Sequence, residues 1–156
     1  MRTNSKARGF TLVELIVAMS VLALISTLAV PMYGEIVAAN RTRAAAYSLV
    51  SALTLARSEA VKRNAAVSVL PFGTGWQAGW QVDLGGTVLA RNEPAPSLTL
   101  TGPLAGVIYQ PNGRLSTPGM VLFTVSAATG YTRCVLIDPG GRPSLNPGER
   151  NDGSCV

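Results

Sequence analysis

Few side chains here could do chemistry. The chain has no histidine among its 156 residues, so it lacks the usual general base, the usual partner of a nucleophile and the commonest zinc ligand. A glycine cluster, Gly73-Thr74-Gly75-Trp76-Gln77-Ala78-Gly79, resembles a phosphate loop only loosely: its last glycine is one place too far on and Pro71 precedes it. A tight hairpin loop is the expected structure there. Three other sets stand out. Glu14 is an acid inside an otherwise apolar run, Cys134 and Cys155 are the only two cysteines, and Arg114, Arg133, Arg142 and Arg150 gather in the last third of the chain. These sets point to charge pairing, oxidation and anion binding. They suggest no catalysis, and no cofactor or metal is expected.

The elements that would position these residues begin with the apolar run, Phe10–Val30, broken only by Thr11, Glu14, Ser20, Ser26 and Thr27. As a helix its 21 residues extend about 31 Å, the thickness of a bilayer's hydrocarbon core at about 30 Å. A secretory signal needs an apolar stretch of only about 7–15 residues, so this run is too long for one. Arg2, Lys6 and Arg8 precede it, and basic flanks stay in the cytoplasm, which sends everything after Val30 to the other side. The formal net charge of +5 divides accordingly. The leader holds +3 and Glu14 −1; from Pro31 onward ten basic and seven acidic residues leave +3. The basic pI therefore belongs partly to a topogenic leader. In an oxidising compartment an even cysteine count favours one bond, Cys134–Cys155, worth on the order of 3 kcal/mol; two free buried thiols are the alternative.

A plain anchor gives no reason for an acid five residues into its apolar run, and an acid at membrane depth is by default functional. The segment Gly9-Phe10-Thr11-Leu12-Val13-Glu14-Leu15 resembles the processing site of type IV pilins and type II secretion pseudopilins. The resemblance implies that a membrane aspartyl peptidase, the prepilin peptidase, cuts after Gly9 and methylates the new amino terminus at Phe10. It also implies that Glu14 pairs with the Phe10 amine of a neighbouring subunit. Physically, Gly9 lets a peptidase approach the backbone, and the ion pair neutralises two charges while fixing the register of helix packing.

After the run, Pro31 and Gly34 should bend or loosen the helix. The helical pattern then resumes, with Tyr47, Val50, Leu53, Ala56 and Ala60 as the apolar face and Arg41, Arg43, Arg57, Lys62, Arg63, Glu35 and Glu59 as a solvated one. From Phe10 to about Asn64 the helix would extend about 80 Å if unbroken. Beyond it come short β-prone runs: Val67–Leu70, Trp80–Leu84, Thr87–Ala90, Ser97–Leu100, Val107–Tyr109, Met120–Ser126 and Thr132–Ile137. Turns are signalled at Gly85-Gly86, Pro111-Asn112-Gly113, Thr129-Gly130 and Asp138-Pro139-Gly140-Gly141. The expected fold class is α+β, a long N-terminal helix laid on an antiparallel β-sheet head. The expected divisions are a leader at 1–9, a transmembrane helix at 10–30, an amphipathic spine at 31–64 and a β-rich head at 65–156. Trp76 and Trp80 are expected in the core.

The order Ser51-Ala52-Leu53, Ala56 to Asn64, Gly79-Trp80, Gln110-Pro111-Asn112-Gly113-Arg114 and Gly141-Arg142 is similar to the GspH/FimT group of minor pilins and pseudopilins. That resemblance implies a single-pass protein of the bacterial inner membrane with its head in the periplasm. Its partners would be other pilin or pseudopilin subunits, in a type IV pilus at initiation or at the tip, or in a type II secretion system. Some FimT-like proteins bind double-stranded DNA through Gly-Arg-x-Arg near the C-terminus. Here Gly141-Arg142-Pro143-Ser144 keeps the first half and has Ser144 for the second arginine. Arg142 is thus the candidate DNA contact, with Arg114, Arg133 and Arg150 assisting.

Overall fold

The computed structural model describes residues 9–94, 97–146 and 155, without the side chains of 27–32. One helix, α1, spans Leu12–Arg63. It is followed by β1 (Val67–Phe72), β2 (Gly75–Leu84), β3 (Thr87–Asn92), β4 (Leu98–Thr101), β5 (Val107–Tyr109), β6 (Val121–Ala127), β7 (Thr132–Ile137) and β8 (Pro143–Asn146). The chain forms two compact units, Met1–Ile36 and Val37–Val156, so residues of α1 contribute to both.

In the first unit α1 starts on a capping box. The Thr11 hydroxyl accepts the Glu14 amide at 3.2 Å, and the Glu14 carboxylate accepts the Thr11 amide at 3.0 Å, so each side chain satisfies an end group of the other residue. Large apolar side chains from Leu12 to Ile25 are exposed. Side chains are described only to residue 26 in this stretch, which is about 22 Å of helix. Among the described residues no helix is long and apolar enough to cross a membrane. Helical structure carries through Pro31 and Gly34, where the sequence suggested loosening. A proline removes one ladder hydrogen bond, and the flanking residues propagate the helix on both sides.

In the second unit the helix buries Ala46, Leu49, Leu53, Ala56 and Ala60 completely, at helical spacings of three and four. This corrects the expected face at one end. Tyr47 is 58% exposed and the stripe runs through Ala46 and Leu49 instead. The helix ends in a Schellman turn: Asn64 takes the left-handed conformation (φ 48°), the Ala65 amide donates to Ala60 O at 3.2 Å and the Asn64 amide to Val61 O at 3.4 Å.

The head holds two four-stranded antiparallel sheets rather than one. Their orders are β3-β2-β1-β5 and β4-β6-β7-β8. Alternation places Val67, Val69, Trp80, Val82, Val107 and Tyr109 of the first sheet inward. From the second sheet come Leu98, Leu100, Phe123, Val125, Val135 and Ile137, all in one core with the helix stripe. Trp76 links the sheets: its indole donates to Pro103 O at 2.9 Å, and its ring meets Phe123 edge-on at 4.8 Å. The glycine cluster at 73–79 is a loop only at Gly73-Thr74; from Gly75 onward it is strand. Gly79 (φ 132°) stands in that strand because a side chain there would strike the Asn92 carbonyl and the Phe72 ring. The last strand, β8, carries no alternating apolar pattern and was not foreseen.

Candidate functional site

At the amino-terminal end, Gly9 and Phe10 precede α1 and both are exposed, Phe10 by 91%. A side chain added at Gly9 would meet no atom within 4 Å, and Gly9 does not need a glycine-only backbone conformation. Packing among the described residues therefore does not require glycine there. Glu14 is exposed at the start of α1, with its carboxylate also accepting the Thr11 hydroxyl at 3.0 Å. Sequence reading missed the role of Thr11, although Thr-x-x-Glu before an apolar run is a legible cap signal.

Cys134, buried in β7, is bonded to Cys155, with Cα atoms 5.7 Å apart across a sequence separation of 21. The Cys155 sulfur also lies 3.4 Å from the Thr124 hydroxyl of β6, and Thr124 pairs with Cys134 in register. Residue 155 is thereby fastened to the middle of the second sheet.

The four arginines do not form one group. Arg114 is exposed in the turn after β5, where its amide donates to Asn112 Oδ1 at 2.9 Å. Arg142 is exposed at the β7–β8 turn, where its amide donates to Asp138 Oδ1 at 2.9 Å. These two turns touch: a side chain at Gly141 (φ 81°) would fall on the Gly113 carbonyl and come within 3.3 Å of the Arg114 Cα. Arg133 is elsewhere, half-buried in β7, where burial and then the Arg43 charge lower its pKa. Arg43 precedes the touching turns' helix contact, Arg57, by about 21 Å of helix. Arg150 lies outside the described residues, as do Glu149 and Asp152. Ser144 is exposed in β8, its hydroxyl donating to Leu136 O at 3.4 Å.

Sequence reading also misassigned Arg57. Instead of lying on a solvated face it is half-buried, with Nε donating to Gly113 O at 3.0 Å and Nη2 to Gly140 O at 3.3 Å. Lys62 and Arg63 do fit the solvated reading, whereas Glu59, its side chain only 13% exposed, is largely covered and pairs with Arg63 and with Lys62 at 3.6 Å. Beside Arg57 the Tyr109 phenol is fully buried, with no hydrogen-bond partner among the described residues. Its burial pushes its pKa up to about 12; the Arg57 charge works against that shift and Asp138 with it. Among the described residues no group of three or more His, Cys, Asp or Glu could hold a metal ion.

Comparison with known proteins matches this architecture. Residues 45–141 match the family described as "Type II transport protein GspH", and residues 4–30 match the "Prokaryotic N-terminal methylation motif". Two crystal structures of the Pseudomonas aeruginosa type IV minor pilin FimU are similar. One shows 28% identity over 69% of this chain and 90% of that one, with a TM-score of 0.62. The other shows 27% identity over 67% and 92%, with a TM-score of 0.57. No curated protein matches at a significant level. The chain belongs to the GspH family of type IV minor pilins and pseudopilins. It is accordingly a membrane-anchored subunit that assembles with other pilins, and its role is structural rather than enzymatic.

Proposed function

We propose that the chain is a minor pilin of a type IV pilus, contributing to initiation or to the tip of the filament, with its head in the periplasm before assembly. The observation that carries this reading is the similarity to the minor pilin FimU over 69% of this chain, at 28% identity and a TM-score of 0.62. The processing that goes with it is cleavage after Gly9, methylation of Phe10 and insertion of residues 10–30 in the inner membrane. Glu14 then leaves its own capping box to pair with the Phe10 amine of a neighbour, a stronger charge-assisted contact inside lipid than its bond to Thr11. The Cys134–Cys155 bond forms after export. In a deletion strain, surface pili should be lost and type II export of enzymes kept. Intact pili with failed export would instead assign the chain to the type II secretion system, the alternative that the family's description favours.

A second reading, a DNA receptor on the same filament, is favoured by the contact between the turns that carry Arg114 and Arg142. Two exposed guanidiniums on neighbouring loops suit the phosphate backbone. With two to four phosphate contacts, log K should fall with log salt at a slope of about −2 to −4 on duplex DNA. Binding that is absent at low salt, or that Arg142→Ala leaves unchanged, would remove this reading.

A further inference from the structure

Two turns from different sheets are fastened to one arginine. Gly113 follows β5 at the edge of the first sheet, and Gly140 lies in the β7–β8 turn of the second. Arg57 on α1 donates to both carbonyls, at 3.0 and 3.3 Å. Glycine makes the approach possible. A side chain at Gly113 (φ 74°) would crowd Val61 at 3.1 Å and Arg57 Nε at 3.3 Å, and one at Gly141 would fall on the Gly113 carbonyl. A guanidinium presents its donors as a rigid planar fork, so the two carbonyls it bridges are held at a set separation; an ammonium is a point donor and imposes none. The residues that immediately follow these fixed points are Arg114 and, one glycine further on, Arg142.

We propose that Arg57 is a positioning residue: by bridging Gly113 and Gly140 it sets the spacing of Arg114 and Arg142 so that both engage phosphates of one duplex DNA backbone. This rests on the DNA-binding reading above. Arg57 itself is turned to the two carbonyls and makes no phosphate contact. Its removal should therefore act through the other two arginines, and more strongly than the loss of one charge.

The test is a salt titration of labelled duplex DNA against the full chain in detergent, comparing Arg57→Ala, Arg57→Lys, Arg142→Ala, the Arg57→Ala/Arg142→Ala pair and Lys62→Ala. Lys62, with its side chain 74% exposed on the neighbouring helical turn, controls for the loss of one charge. Lys62→Ala should weaken binding about twofold or less. Arg57→Ala should weaken it about tenfold and flatten the salt slope by more than one contact's share. Arg142→Ala should then cost little more in the Arg57→Ala background, because the paired geometry is already gone. Arg57→Lys keeps the charge and should bind between the two. Thermal melts of Arg57→Lys separate loss of spacing from loss of fold. The inference is overturned if Arg57→Lys binds like the unaltered chain, or if Arg57→Ala behaves like Lys62→Ala while Arg142→Ala still weakens binding; the DNA reading survives both results. Absence of salt-sensitive binding by the unaltered chain removes the DNA reading and this inference with it.

Discussion

The two units of the chain treat apolar side chains in opposite ways. In the amino-terminal unit Leu12, Ile16, Met19, Leu22 and Ile25 are all more than half exposed. In the second unit Leu49, Leu53, Phe123, Val135 and Ile137 are completely covered. Side chains of similar size and hydropathy thus meet different solutions. The head supplies its own cover from two sheets and a helix stripe, so its stability is internal. Among the described residues the apolar helix face of the first unit has no such cover within the unit, and lipid or the helices of other subunits are the environments suited to provide it. Cover for the first unit is therefore sought outside it, whereas the second unit covers its own core.

Breaking the first unit should have the largest biological effect and the smallest effect on folding. Glu14→Leu should still insert and fold, since it makes the helix more apolar, yet incorporation into sheared filaments should fall to background. Normal incorporation of that variant would disprove the pairing with a neighbour's amine. Gly9→Val should accumulate uncut, and intact-mass measurement should find residues 1–9 retained, whereas the unaltered chain should begin at methylated Phe10.

The comparison sharpens with matched core substitutions. Leu53→Ala in the head should destabilise it by about 2–5 kcal/mol, because the cavity is walled on all sides. Leu22→Ala, 62% exposed before substitution, should leave the head's melting temperature unchanged. Equal shifts in calorimetry would show that the two units do not divide the chain's stability in this way.

Next in size is the disulfide. Cys134→Ser should destabilise the head by about 3 kcal/mol in the chain-entropy model for a loop of about 20 residues. Hydrogen exchange should rise in β8 and the tail well before the helix, because β1 to β7 have their own core. Non-reducing mass spectrometry of periplasmically exposed protein should recover the Cys134–Cys155 peptide pair, and free thiols there would contradict the bond.

The smallest effect is a pH dependence. The Tyr109 phenol has a folded pKa of about 12, above the unfolded value of about 10. Between these values the unfolded chain has lost the proton and the folded one still holds it, so stability falls as pH rises from about 10 to 12 and is fully present below. Denaturant melts over that range should show the loss, and Tyr109→Phe should abolish it.

Much of this molecule was legible because its signals are local. A bilayer-length apolar run, its basic flank and the heptapeptide from Gly9 to Leu15 are contiguous features, and each acts through the chemistry of neighbouring residues. Seven strands could be read the same way, since alternation and turn glycines are short-range. Even Thr11 was readable in principle, as the cap of a helix whose first turn ends in Glu14. β8 was not, because Pro143-Ser144-Leu145-Asn146 has little strand character alone and becomes a strand by pairing with β7.

The sequence by itself determined the class of element at nearly every position, because helix and strand periodicities and turn residues are short-range signals. Only the tertiary structure decided which distant residues share a place. It split the head into two sheets, turned Tyr47 out and brought Cys155 to Thr124 and Cys134. It brought the turns that carry Arg114 and Arg142 into contact while leaving Arg133 within reach of the Arg43 charge. Arg57 shows the reason most clearly. Its carbonyl partners lie 56 and 83 residues away, and no periodicity along a helix encodes the backbone atoms that a fold will bring to its side.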